Sequence, residues 1–513
     1  MLKRSSPLLR AFARERGGNV AILFGFALIP MLLAAGAAVD YGRAALVHQR
    51  MGDAADASGL AIGSWIDLTQ AEMTTKAQQY FDANYPPSKL GTVGKLNVSF
   101  SGDNITVSVS GTVQTTFMRM ANIDHIDVGA TSTITKKLRN LELVLVLDTT
   151  GSMASNGKIG ALQTAAKQMM TTLFNGKSTS DTLKVGVVPF AAAVNIGVAN
   201  LNSGWLDTTA ASKISYEDFI KSPPVKVLDL YSPKGLKNRS WAGCVRERSG
   251  GNGAPYELTD DPPSSGTPNT LWAPYFAPDE PDTSSSFSNN YLSDGSYTGA
   301  TCFIGTSDSD KRQCYTGKYT GKNVPSTATG PDFNCPPAPI TTLTNDQATV
   351  DAAIDALQPK GSTVLPAGLL WGWRVISPTP PFTEGAAYDN DKTVKAVVLL
   401  TDGQNDVGGG AADGFDKSFY NAFGFAKNGH LGNTSGSNAE ATLDSKTITV
   451  CNAIKALGIR LYTIGFQVTS ASQTVLLNCA TEPDYFYNSP TNAQLAGIFQ
   501  DIAQGLSELR IAQ

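Results

Sequence analysis

The hydrophobic positions change period several times along the chain. Residues 17 to 39 carry no charge and are almost wholly apolar or small. Beyond them, Ala44, Ala45, Val47, Met51, Ala54, Ala55, Ala57, Leu60 and Ala61 recur near helical spacing. That pattern predicts a helix over residues 40 to 84, stopped by Pro86-Pro87. Its small side chains would let another helix approach closely. The period then falls to two. Leu96, Val98 and Phe100 alternate, as do Ile105, Val107 and Val109, then Ile126 and Val128, with Ile134 as a further candidate. Gly102-Asp103-Asn104 separates the first two runs as a hairpin turn does, so residues 88–138 predict a small β segment.

From Leu141 onward short apolar runs alternate with helical patterns. Strands are predicted at Leu141–Leu147, Leu183–Phe190, Val394–Thr401 and Arg460–Phe466. Helices are predicted at Lys158–Phe174, Ala348–Leu357, Pro366–Ile376, Ser445–Leu457 and Asn492–Leu506. Strands that are apolar throughout, set between helices, imply an α/β architecture: a doubly wound, mostly parallel sheet covered on both faces. Residues 139–513 would form this domain. An insertion over about residues 200–344 interrupts it, rich in Pro, Gly, Ser, Thr, Asn and Asp. Its cysteines and aromatics (Trp205, Trp241, Trp272, Tyr275, Phe276, Tyr291) argue for a stapled, irregular fold. Parts of residues 249–298 also read as linker. The insertion leaves the core between a strand and the Gly361-Ser362-Thr363 loop, which would put it near that loop.

Charge turns the first segment into a membrane span. The uncharged run reaches the ~20 residues that a crossing helix needs. Lys3, Arg4, Arg10, Arg14 and Arg16 precede it within a basic flank, residues 1–16, and Asp40 follows it. Positive flanks stay cytoplasmic, so the main domain is expected outside the inner membrane, on a single-pass anchor. Ala35-Gly36-Ala37 offers the competing reading of a cleaved signal peptide, although apolar cores of signal peptides run to only ~7–15 residues.

The six cysteines suit an oxidising compartment, and none forms Cys-x-x-Cys. Cys451 opens a predicted helix and Cys479 ends another, so these two are expected to pair. Cys244, Cys302, Cys314 and Cys335 would pair among themselves. The net charge is −4, from 40 basic and 44 acidic side chains, and no basic stripe invites nucleic acid.

Two of the predicted strands end on carboxylates, where ligands bind in parallel sheets. After Leu147 comes Asp148-Thr149-Thr150-Gly151-Ser152, whose alternate residues Asp148, Thr150 and Ser152 carry oxygen. Leu400 leads into Thr401-Asp402-Gly403, and Thr363 supplies one more hydroxyl from a Gly-containing turn. Five oxygen donors at Asp148, Thr150, Ser152, Thr363 and Asp402 describe a hard-cation site, for Mg²⁺ first and Mn²⁺ or Ca²⁺ as alternatives. Three of the five are neutral. A bound ion would therefore keep unsatisfied charge and accept a carboxylate from a partner, which is binding chemistry. Asp406, Asp413 and Asp416 read as solvated loop acids.

Catalytic patterns are missing from the sequence. Gly151 to Lys158 has five residues between its glycines, and Ile159 follows the lysine, so it is no phosphate loop. No Gly-x-Ser-x-Gly or His-Glu-x-x-His occurs, and three scattered histidines (His48, His125, His430) leave little for imidazole chemistry.

Asp-x-Thr-x-Ser, the distant Thr363 and the distant Asp402 together resemble the metal-ion-dependent adhesion site of von Willebrand factor type A domains, with Thr150 in place of the usual Ser. The resemblance implies a Rossmann-like fold. It also implies direct ligation by Thr150, Ser152 and Thr363, with Asp148 and Asp402 often acting through water. The N-terminal stretch resembles the TadE/TadG-like leader of tight-adherence (Flp) pilus assembly proteins. The matching residues are Gly17-Gly18-Asn19-Val20-Ala21, the apolar run with Pro30, Ala38-Val39-Asp40-Tyr41, and Gln49-Arg50 through Asp53-Ala54-Ala55-Asp56-Ala57. The combination is similar to the TadG-type family. That implies a non-enzymatic, membrane-anchored pilus assembly protein whose partners are pilus or envelope proteins and TadE- or pilin-like membrane proteins. Two other roles fit the same pattern: a purely structural helix partner of pilin-like subunits with the metal only stabilising the fold, and a type A subunit of an ATPase-linked machine.

Overall fold

The computed structural model describes residues 18–63, 65, 69–86, 91–101, 104–135, 139–248, 256–284, 287–295, 297, 299–326, 328–408, 415–432 and 436–509. The basic flank 1–16, the hairpin residues Gly102 and Asp103, and Asp413 lie outside them. The described residues divide into two compact units at the Leu138/Arg139 junction.

In the first unit, helix α1 (Gly18–Gly63) runs unbroken for 46 residues, with Pro30 inside it. At 1.5 Å per residue it is about 69 Å long. Among the described residues it is the one helix long and apolar enough to cross a membrane, and its N-terminal part is exposed. Helix α2 (Gln70–Asn84) follows. The single helix predicted over residues 40–84 is therefore two. The signal for the break was present: Thr69 accepts from the Glu72 N–H while the Glu72 carboxylate accepts from the Thr69 N–H, a reciprocal cap that starts a new helix.

Strands β1 (Thr92–Val93), β2 (Asn97–Ser101), β3 (Asn104–Gln114) and β4 (His125–Thr135) make an antiparallel sheet in which β3 pairs with the other three. Ile105, Val107, Val109 and Val113 on β3 point inward and pack with Val47, Met51, Ala54 and Ala55 of α1 and with Ala77 and Phe81 of α2. The small side chains of α1 thus meet this sheet.

The second unit is a three-layer α/β fold. Its elements in order are β5 (Asn140–Asp148), α3 (Lys158–Leu173), β6 (Leu183–Phe190), β7 (Val194–Asn195), β8 (Cys244–Arg246), β9 (Ala273–Pro274), α4 (Asp308–Cys314), β10 (Thr341–Thr344), α5 (Gln347–Asp355), α6 (Leu365–Ile376), β11 (Thr393–Thr401), α7 (Gly436–Ala456), β12 (Arg460–Phe466), α8 (Ser470–Cys479), β13 (Phe486–Ser489) and α9 (Asn492–Leu509). The sheet order is β13-β12-β11-β5-β6-β7-β8-β9, with β10 also on β6. β13, β12, β11, β5 and β6 are mutually parallel. β7 to β10 add antiparallel pairs.

Alternation within β5 shows why both faces are covered. Leu143, Leu145 and Leu147 pack with Leu162, Met169, Ile354, Leu495 and Phe499 of α3, α5 and α9. Val144 and Val146 face the opposite layer, with Leu369, Val375, Leu443 and Ile454 of α6 and α7. α6 lies so close to the sheet that a Cβ at Gly372 would overlap Val146.

The insertion is a packed extension of this second layer. Trp205 and Trp272 sit against Trp371 of α6 at 6.1 and 5.1 Å between ring centroids, so every residue of α6 is buried. Residues 271–277, within the stretch that read partly as linker, are buried. Disulfides join Cys244 to Cys335, Cys302 to Cys314, and Cys451 to Cys479.

Candidate metal centre

β5 and β11 are adjacent parallel strands in register, Leu147 beside Leu400, so both end at the same edge of the sheet. Asp148 is the last residue of β5, and Asp402 follows β11 by one residue. The remaining donors come from the turn after β5 and from the loop that leads into α6.

Hydrogen bonds tie these three segments together. Asp148 Oδ1 accepts from the Thr150 N–H at 2.8 Å, which folds the turn back over the carboxylate. Thr150 Oγ1 and Ser152 Oγ lie 3.0 Å apart. The Ser152 hydroxyl donates to Asp402 Oδ1 at 2.6 Å, closing the first segment onto the third. The Gly151 N–H donates to the Gly361 carbonyl at 2.8 Å, and the Lys360 N–H donates to the Thr149 carbonyl at 2.7 Å, closing the first segment onto the second. The Asp406 N–H donates to the Thr363 carbonyl at 2.8 Å, and a Cβ on Gly403 would stand 3.8 Å from Thr363 Oγ1. All five sequence-predicted residues are thus brought to one place. Asp148, Thr150, Thr363 and Asp402 are buried, whereas Ser152 is exposed and marks the open side.

Two participants were not assigned from the sequence. Thr401 donates its hydroxyl to Asp148 Oδ2 at 2.6 Å. Its position one residue before Asp402, on the strand beside β5, was the available signal. Lys158, at the start of α3, donates to Asp402 Oδ2 at 2.8 Å from a buried position. No local motif announces that contact, because it depends on how α3 returns across the sheet edge. Burial first, and then the neighbouring Asp402, push the Asp148 carboxyl up to about 6, with hydrogen bonds from Thr150 and Thr401 opposing.

The loop acids divide. Asp406 is exposed and accepts from the Gly408 N–H at 2.9 Å. Asp416 corrects the reading of solvated acids: it is buried, ion-paired to Lys427 at 2.5 Å, and accepts from the Gln313 side chain at 2.8 Å. Beside the centre, Gln404, Asn405, Glu440, Asp444, Ser472 and Val475 help line a cleft of about 210 Å³.

The donor chemistry fits a hard divalent cation. Every candidate ligand is oxygen, two of the five are carboxylates, and they converge from three segments at the carboxyl ends of parallel strands. Among the described residues no group of three or more His, Cys, Asp or Glu side chains is placed to hold a metal ion; the candidate centre offers two carboxylates and three hydroxyls. An ion here would share Asp402 with the Lys158 ammonium.

Residues 18–63 match the family model described as putative Flp pilus-assembly TadE/G-like. That stretch is similar to TadE/G-like segments. The match covers the whole of α1 and ends with it. Comparison with curated proteins gives no match. Solved structures with a similar arrangement include the von Willebrand factor domain of the type V pili tip protein Mfa5 from Porphyromonas gingivalis. It is 10% identical with a TM-score of 0.35, over 73% of this chain and 97% of that one. The pilus adhesin SpaC from Lactobacillus rhamnosus GG, in its open conformation, is 10% identical with a TM-score of 0.34, over 82% of this chain and 34% of that one. The pilus adhesin RrgA from Streptococcus pneumoniae is 8% identical with a TM-score of 0.32, over 80% of this chain and 49% of that one. The chain therefore spans about a third of SpaC's length. Beyond the matched residues, the second unit carries a mixed, mostly parallel sheet.

Proposed function

We propose that this chain is a non-enzymatic, membrane-anchored pilus assembly protein that binds a pilus or envelope partner through a divalent cation. The observation that carries the reading is the convergence of Asp148, Thr150, Ser152, Thr363 and Asp402 at one sheet edge, with Ser152 open to solvent. Thr150, Ser152 and Thr363 would supply neutral ligands, while Asp148 and Asp402 balance part of the charge. The bound ion, Mg²⁺ first and Mn²⁺ or Ca²⁺ as alternatives, would hold residual positive charge for a partner's carboxylate. Thr401 and the Thr150 N–H orient Asp148, and Lys158 and Ser152 orient Asp402. The anchor reading rests on the TadE/G-like match and on the exposed apolar face of α1. On this reading the apolar run of α1 crosses the inner membrane, with the N-terminus cytoplasmic and the residues after it outside. Because the family match falls on α1, we also assign to α1 the association with other TadE- or pilin-like membrane proteins.

The test uses the full chain. Mn²⁺ binding followed by electron paramagnetic resonance should show one site in the wild type, competed by Mg²⁺ and lost in Asp148→Ala. Partner capture from envelope extract should disappear in chelator and in the same variant. A folded wild type that binds neither ion, or capture that ignores chelator, refutes the metal's role.

A further inference from the structure

The first unit carries a short apolar loop that neither the metal centre nor the span explains. Between β3 and β4 the chain runs Phe117-Met118-Arg119-Met120-Ala121-Asn122-Ile123. Phe117 is 44% exposed, Met120 81% and Ile123 42%. Three large apolar side chains within seven residues of a solvated loop are costly unless something covers them.

The loop's position along α1 says what does. A Cβ on Gly36 would overlap Phe117, so only glycine lets the loop sit there. Gly36 lies inside the uncharged run 17–39, three residues before its end, or about 4.5 Å in from it. That run is about 35 Å long, against a hydrocarbon core of ~30 Å. The loop therefore stands level with the boundary where the apolar run ends.

Its backbone is prepared for a dry setting. Asp40, the first charged residue after the run, accepts from the N–H groups of Thr116, Phe117 and Met118 at 3.0, 2.8 and 2.8 Å. The Met120, Asn122 and Ile123 N–H groups donate to the carbonyls of Phe117, Arg119 and Met118 at 3.0, 3.0 and 3.1 Å. The Thr115 hydroxyl donates to the Ile123 carbonyl. Irregular backbone near lipid must satisfy its polar groups internally, and this loop largely does. Arg43 donates its guanidinium to the Thr116 hydroxyl at 2.7 Å, and the exposed Arg119 is ion-paired to the exposed Asp124 at 3.3 Å, so the polar side chains that flank the loop are partnered too.

We infer that residues 117–123 form an interfacial wedge, with Phe117, Met120 and Ile123 inserted among lipid headgroups and upper acyl chains beside α1. The occupant is the bilayer. The inference rests on the reading of residues 17–39 as a membrane span, and it adds a second, peripheral contact that fixes the height of the first unit above the lipid. Such apolar faces sit ~5–10 Å into the interface, somewhat deeper than the about 4.5 Å at which Phe117 meets Gly36.

The experiment places a tryptophan at three positions in the full chain, reconstituted in phosphatidylethanolamine/phosphatidylglycerol vesicles with or without brominated acyl chains. Emission added over the wild type is read for each variant. Met120→Trp, at a highly exposed site that tolerates the ring, should lose most of its added emission to the bromines and emit further to the blue. Phe24→Trp, inside the span, should be quenched as well. Thr131→Trp, six residues along β4 from His125 and so about 20 Å away, should not. Phe24→Trp quenched with Met120→Trp unquenched overturns the wedge and leaves the span standing. If that unquenched Met120→Trp is also blue-shifted, a second copy of the chain covers the loop instead. Neither quenched overturns both readings.

Discussion

Removing the Cys244–Cys335 disulfide tests how the insertion supports the site. A cross-link restricts the unfolded chain in proportion to the logarithm of the loop it closes. The 91-residue separation of this pair corresponds to about 4.6 kcal/mol, and the 12-residue separation of Cys302–Cys314 to about 2.8 kcal/mol. Replacing both cysteines of each pair by alanine avoids a stray thiol. Urea unfolding of the full chain in detergent, followed by tryptophan emission, reports mainly on the second unit, because Trp205, Trp241, Trp272, Trp371 and Trp373 all lie in it. The long-loop variant should lose more stability, by roughly 2 kcal/mol. It should also bind Mn²⁺ more weakly, because Cys335 adjoins Asn334, whose carbonyl would stand 2.9 Å from a Cβ on Gly361, and because the Lys360 ammonium donates to the Asp332 carbonyl at 3.1 Å. Residues 332–335 thus brace the turn that carries Thr363. The short-loop variant should keep its ion affinity. Equal or greater loss from the 12-residue staple, or unchanged ion binding in the Cys244/Cys335 variant, would refute the argument.

Three other outcomes follow from single contacts. Arg246→Met removes the guanidinium that pairs with Glu217 at 2.6 Å and Asp218 at 3.0 Å in the core, and should cost about 3–5 kcal/mol at neutral pH. Burial pushes Glu217 up, but Arg246 and then His430 outweigh it and hold the carboxyl at about 2, below its ordinary 4.5. That contribution is full above pH 4.5 and is lost as pH falls toward 2, so melts of wild type and variant should converge in acid. Thr401→Val deletes the hydroxyl donated to Asp148 Oδ2; it should cost about 1.5–3 kcal/mol and weaken Mn²⁺ binding, and a denaturation curve identical to wild type would count against Thr401's role. Gly372→Ala forces a methyl into Val146 and should lower stability by about 1–3 kcal/mol, with the loss eased by pairing it with Val146→Ala.

The core of the second unit was legible because its strands are apolar on both faces. Leu183–Phe190 and Arg460–Phe466 coincide with β6 and β12 residue for residue. The candidate site was legible for the same reason, since a carboxylate at the end of a buried strand is conspicuous. What stayed hidden has no period. β7, β8 and β9 are two or three residues long and exist only through pairing across the sheet. Asp416 read as a loop acid because its partners, Lys427 and Gln313, are set by tertiary packing, and Gln313 is 103 residues away. Lys158 likewise reaches Asp402 across 244 residues. The division into α1 and α2 was written locally, in Thr69 and Glu72, but the run of small residues before it, Ala54 to Ala61, masked it.

α1 has no interruption at Asp40, where the apolar run ends. The 24 residues from Asp40 to Gly63 continue the same rod for about 36 Å, wedged against β3 and β4 by Val47, Met51 and Ala54. A stiff shaft geared to a sheet cannot turn alone. Any twist or piston stroke imposed on its apolar half is delivered to the antiparallel strands at the other end.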